Sequence, residues 1–142
     1  MSNARRQARE VALQALYAWQ LSGGDALAEL KALDGFEDSD KQLAEKLVAG
    51  VRERAEELQG VISPHLDREF ARLSPVERAI LYIGSYELSE HPRTPFKVVL
   101  NEAIELGKSF GGAEGHRFVN GVLEKVARAL RPDEVAKAGK IA

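Results

Sequence analysis

Cysteine is absent from the 142 residues. That excludes disulfides, thiolate metal sites and cysteine nucleophiles. Long apolar runs are absent too. None approaches the ~18 residues a membrane span needs. The N-terminus, MSNARRQARE, has no apolar stretch behind its arginines and is no secretory signal. Charge of one sign is not in excess: 20 Lys and Arg against 22 Asp and Glu leave a net −2. No global basic field therefore draws the chain onto a polyanion. Strict apolar/polar alternation is missing, so no strand is expected. No repeat of about 20 to 50 residues and no linker stands out. What is left is a chain of one-domain size. It is 44% apolar and 30% charged, an ordinary globular composition, and is expected in the cytoplasm.

What is there is helical spacing throughout. A first helix is expected from Ala4 to Leu21, with Ala8, Val11, Ala12, Ala15 and Trp19 as its core stripe and Gly23-Gly24 as its end. A short helix over Ala26 to Leu33 and a longer one from Ser39 or Asp40 to about Gly60 follow. Ser63-Pro64, Ser74-Pro75 and Thr94-Pro95 each read as a hydroxyl N-cap with proline in the first turn. Ser74 to Glu77 adds a capping box. Helices are placed at Pro64 to Arg72, Pro75 to Ser89 and Pro95 to Phe110. A glycine-rich turn, Gly111 to Gly115, precedes a last helix from about His116 to Leu130. Asp133 to Ala142 is expected as a loose tail after a single domain spanning 1–131. The helix from Pro75 is apolar almost all round and so central. Gly84 within it implies a close neighbouring helix. Glu87, on its apolar face, must find a hydrogen-bonding or charged partner.

Enzyme signatures are missing. There is no phosphate-binding glycine loop and no nucleophile elbow, and His65, His91 and His116 lack ligand spacing. No catalytic activity, cofactor or metal is expected. Two stretches carry more information. At about 100° per residue, Arg5, Arg6 and Arg9 share a side of the first helix away from its alanine stripe. Leu13 and Tyr17 stand on the same flank, as an exposed interaction site would. The plainer alternatives are a solvated helix end and cover by a neighbouring helix. The second stretch, Gly111 to Phe118, would present free N–H groups at a helix start. His116 and Arg117 add donors there, and Phe118 would stack on an unpaired base. Phe118 also lies at the edge of the stripe Val119, Val122, Leu123, Val126 and Leu130, so a core role stays open.

Three separated blocks resemble the NusB family of transcription antitermination factors. The first runs from Arg5 to Tyr17. The second runs from Leu73 through Ser74-Pro75-Val76-Glu77 to Leu88. The third runs from Val99 through Asn101-Glu102 and Phe110-Gly111 into Arg117-Phe118-Val119-Asn120-Gly121. The resemblance implies two packed helical bundles and binding to the boxA element of nascent ribosomal RNA transcripts. It implies a heterodimer with the ribosomal protein NusE inside an RNA polymerase antitermination complex. It assigns RNA contact to Arg5, Arg6, Arg9, His116, Arg117 and Phe118. It assigns the protein partner to Tyr17 and Glu77, with Leu13 beside them. Glu114 matches the family pattern poorly and is left out. A homodimer stays open. Related readings are the NusB-like domain of ribosomal RNA cytosine methyltransferases, for which no methyl-donor domain is seen, and a protein-only helical adaptor.

Overall fold

The computed structural model describes residues 2–141, with side chains at 3–111 and 115–139. Among these, every regular element is helical. Eight α-helices stand where about seven were expected: α1 (Ser2–Ser22), α2 (Ala26–Ala32), α3 (Lys41–Glu53), α4 (Ala55–Ile62), α5 (Pro75–Glu90), α6 (Phe96–Leu106), α7 (Gly112–Leu130) and α8 (Pro132–Ile141). No described helix is long and apolar enough to cross a membrane.

The order of packing follows from α5. Its start is fixed by the capping box: Glu77 N–H donates to the Ser74 hydroxyl and Ser74 N–H to the Glu77 carboxylate, each at 3.1 Å. From Ala79 to Ser85 every side chain is buried. Helices then cover it on all sides: α1, α3 and α4 from one bundle, α6 and α7 from the other. Gly84 is a point of close approach, since a Cβ there would lie 2.7 Å from Leu123 Cδ1 of α7. Apolar side chains from both bundles form one continuous core around α5.

Several boundaries differ from expectation. Ser63-Pro64 opens only a 3-10 turn, Ser63–His65, with a second at Phe70–Arg72. From Pro64 to Arg72 only Leu66 and Phe70 are among the large apolar side chains on the core, too little apolar surface to hold a helix. The long third helix is divided at Arg54, whose guanidinium pairs with Glu57 and Glu90. Thr94 is not a cap. Pro95 holds the N-cap position, and Phe96 N–H donates to Glu134 of α8 at 2.8 Å. The expected tail is therefore helical over Pro132–Ile141, with Val135 and Ala138 resting on the core; Ala142 lies outside the described residues. Pro132 ends α7 and also opens α8, where a missing N–H costs nothing. Arg131 locks this corner. It donates to the carbonyls of Glu87, Leu88, His91 and Thr94 at 2.6–3.0 Å, placing a cation on the negative end of α5.

The Gly111 to Gly115 turn is also helical. A π-helical turn, Gly107–Gly111, leads directly into α7 at Gly112. The chain turns back here and brings His116 against Gly107, where a Cβ would lie 2.7 Å from His116 Cβ. His116, Arg117 and Phe118 thus sit in the second turn of α7 rather than at its N-terminus.

Candidate nucleic-acid interface

The arginines of α1 do not share one environment. Arg9 is 3% exposed. Its Nε and Nη2 donate to the two carboxylate oxygens of Glu87 at 2.8 and 2.9 Å. Glu87 is 1% exposed, so this is a fully buried, two-pronged ion pair between α1 and α5. The expectation that Arg9 stands off the core is corrected. Leu13, expected on the same exposed flank, is corrected too: it is 2% exposed and part of the core. The physical reason is common to both. α1 is wedged between α2 and α3 on one side and α5 and α6 on the other, so its buried arc is wider than the alanine stripe. Burial pushes the Glu87 carboxyl up, but the two hydrogen bonds and the charge of Arg9, with His91 Nδ1 3.8 Å away, outweigh it and leave it below the usual carboxylate range.

Arg5 and Arg6 remain partly exposed at the seam between α1 and its neighbours. Arg6 forms a second two-pronged pair, Nε and Nη2 donating to Glu102 of α6 at 3.1 and 2.9 Å. Glu102 also lies 3.9 Å from Arg9 Nη1. Arg5 reaches Asp40 at 3.5 Å. Asp40 caps α3 by accepting from Leu43 N–H. Each arginine of α1 therefore has its own carboxylate. Glu102 was in the sequence blocks but had no assigned role. Its partner is 96 residues away, a distance no local spacing can reveal.

On α7, Arg117 is exposed, Phe118 and His116 partly so. A groove of about 260 Å³ separates this helix from the segment after α4; His65, Asp67, Arg117, Phe118, Gly121, Val122 and Lys125 line it. Phe118 rests one side on the core and turns its ring to Arg68, whose guanidinium carbon lies 5.0 Å from the ring centroid. That is a cation–π distance. A hydrogen bond from Arg68 holds the Asp67 carboxyl below the usual range, so both keep their charge. Phe118 is thus partly core, with Arg68 over its ring. Arg68 was not anticipated. No hydrogen bond, ion pair or shared cavity among the described residues joins Arg5 and Arg6 to Arg117 and Phe118. The glutamate 114 side chain lies outside the described residues.

Tyr17 is 40% exposed and Leu21, one turn on, is also exposed. Gln20 brings this end of α1 to the start of α5: it donates to the Pro75 carbonyl at 2.9 Å and accepts from Arg78 at 2.6 Å. Glu77 is there, partly exposed but engaged in the capping box. Tyr17 and Glu77 thus lie at the same end of the molecule. Among the described residues no group of three or more His, Asp or Glu is arranged to hold a metal ion.

These features define an all-helical protein with arginines along one helix seam and an aromatic groove on another. The chain belongs to the NusB family: the model described as "NusB family" matches residues 6–128. It is 49% identical over 138 residues to the transcription antitermination protein NusB of Dechloromonas aromatica, covering 94% of this chain and 84% of that one. To the corresponding protein of Paraburkholderia phytofirmans it is 46% identical over 143 residues, covering 99% of each. Among solved structures, T. maritima NusB superposes with a TM-score of 0.81 at 29% identity, over 93% of this chain and 96% of that one. A chain of a crystal structure of the antitermination factors NusB and NusE in complex with double-stranded RNA gives 0.79 at 30% identity, over 91% and 99%.

Proposed function

We propose that this protein is a transcription antitermination factor. It binds boxA RNA of nascent ribosomal RNA transcripts as a heterodimer with NusE and supports read-through of terminators by RNA polymerase. The observation that carries this reading is the likeness, over nearly the whole chain, to a protein crystallised with NusE and RNA. Arg5, Arg6, Arg117 and Phe118 remain presented on the surface, and they supply what RNA needs. Guanidinium groups neutralise phosphates, and an aromatic face stacks on an unpaired base. Arg9 takes no direct part. Its guanidinium is spent on Glu87, and its role is to hold α1 against α5 so that Arg5 and Arg6 are correctly placed. His116 supports the corner at Gly107, with its Nδ1 buried and without a hydrogen-bond partner among the described residues.

The partner surface in this reading is the Tyr17 and Glu77 end, with Leu13 behind it as packing. A tyrosine with an apolar neighbour one turn away suits an interface anchor. Separate titrations of the purified protein with boxA RNA and with NusE, then with both, test the proposal. Binding to each, and tighter RNA binding by the pair than by either protein, is the expected result. NusE binding with no RNA binding in any combination would leave a protein-only adaptor. Gel filtration with and without RNA reads the oligomeric state.

A further inference from the structure

Gly121 sits in the interior of α7, exposed, within the groove beside Phe118. Glycine is a poor choice inside a helix, because it exposes backbone and has the most freedom to lose. Gly84 has an internal reason, the side chain of Leu123. Gly121 has none. Its φ is not positive, and a Cβ built on it meets nothing within 4 Å. Nothing inside the chain requires the side chain to be missing, so the requirement comes from what lies against the helix.

The neighbours say what that is. Arg117 and Lys125 flank Gly121 one turn to either side, both exposed. Neither is within ion-pair distance of a carboxylate among the described side chains, although Asp67 feels the charge of Lys125 across the groove. Phe118 and Val122 form the floor, with Arg68 over the Phe118 ring. Bare backbone between two cations, beside an aromatic face, fits a sugar–phosphate strand lying along the helix. Phosphates meet the cations, a ribose passes over the glycine, and a base takes the place of the exposed Arg68 guanidinium on the Phe118 ring. An acidic peptide would satisfy the cations but leave the ring to Arg68 and make no use of its aromatic face.

We infer that Arg117, Gly121 and Lys125 form a track on α7 for the backbone of single-stranded RNA, extending the site past Phe118 toward the C-terminal half of the helix. This rests on the RNA-binding reading above. The test uses the full chain with Gly121→Ala, Gly121→Gln and Lys125→Gln, a fluorescent single-stranded boxA RNA, and thermal melts of each variant. Alanine and glutamine are better helix formers than glycine and the space is open, so both Gly121 variants should melt at or above the parent temperature. Their RNA affinity should nonetheless fall, by about threefold for alanine and about tenfold or more for glutamine, as close approach is blocked. Lys125→Gln should flatten the log–log salt dependence by up to about one unit. Unchanged RNA affinity in Gly121→Gln overturns the track, and so does a lowered melting temperature, since the glycine would then serve the fold. An Arg5→Ala/Arg6→Ala variant run alongside separates the two readings. If it loses affinity while Gly121→Gln does not, only the track fails; if the parent protein binds no RNA, the RNA reading fails and takes the track with it.

Discussion

The α1 seam and the α7 groove both carry arginines, but they hold them in opposite electrostatic states. Along α1, Arg5, Arg6 and Arg9 each face a carboxylate, from Asp40, Glu102 and Glu87. In the groove, Arg117 and Lys125 face solvent with no such partner among the described side chains, and Arg68 covers an aromatic ring. A run of arginines is therefore not one functional unit. In the proposed reading burial grades it: Arg9 is scaffold, Arg6 would have to release a glutamate to meet a phosphate, and Arg117 would meet one as it stands.

The largest effect should come from breaking the scaffold. Arg9→Ala leaves Glu87 as an unpaired buried charge and should cost about 3–5 kcal/mol of folding stability, read by denaturant unfolding. Replacing both, as Arg9→Met with Glu87→Leu, should restore most of that stability or all of it. The double variant should also keep its RNA affinity. If it folds and RNA binding is lost, Arg9 touches RNA after all and the grading of the α1 arginines is wrong. The pair also gives a pH signature. The Glu87 carboxyl titrates lower when folded than unfolded. Its contribution is therefore complete above the ordinary glutamate value of about 4.3 and fades as pH falls through the folded value. Melting temperatures of the parent and Glu87→Gln should converge as the pH is lowered from neutral into that acid range. A constant gap would mean that packing, not charge, makes the difference.

Phe118→Ala comes next and probes the groove. A stacked base is worth about 1–3 kcal/mol of RNA affinity. Because Phe118 is only partly buried, its folding cost should stay below the about 3–5 kcal/mol of a full core phenylalanine. Measuring both on one variant sharpens the contrast with Arg9, which should show the reverse balance. In the first turn of α5, Glu77→Lys removes one half of the capping box, worth about 1 kcal/mol. It should weaken NusE binding well beyond what that small stability loss explains, and Tyr17→Asp should do the same, with RNA affinity of the isolated chain retained in both. If NusE binds both variants normally, Glu77 is a helix cap and nothing more.

Much of this was legible from local chemistry. Ser74 to Glu77 announced its capping box, Gly84 its close neighbour, and Glu87 its need for a partner, because each follows from a rule acting within a few residues. Arg9 was not legible as that partner, since a helical wheel places it beside Arg5 and Arg6 and cannot show that α5 and α6 cover that flank. Leu13 failed for the same reason. α8 was missed because its sequence lacks a strong apolar stripe. It is held instead by Glu134, which accepts from Phe96 N–H and from Arg131. Gly111 to Gly115 looked like a break, because glycines usually are; the chain instead turns one step earlier, at Gly107–Gly111, where Gly107 makes room for His116 without the chain leaving helical geometry.

The smallest expected effect tests the middle grade directly. If Arg6 contacts a phosphate, it exchanges one anion for another, and Glu102 competes with RNA. Glu102→Gln removes the competing charge and keeps a side-chain oxygen that can still accept from the guanidinium. Arg6 is substantially exposed, and exposed pairs are worth only about 0.2–1 kcal/mol. RNA should therefore bind tighter by a factor of about two to three at low salt. The gain should shrink as salt screens the pair. Arg5→Ala/Arg6→Ala should move the other way, with weaker binding and a log–log salt slope flatter by about 0.7 for each single-strand phosphate left without its arginine. Glu102 also lies near Arg9, so a melt of the Glu102→Gln variant must accompany the titration. Unchanged affinity in a stably folded Glu102→Gln protein, together with an unchanged slope in the double alanine variant, would make the whole α1 seam scaffold and leave the α7 groove as the sole RNA-contacting surface.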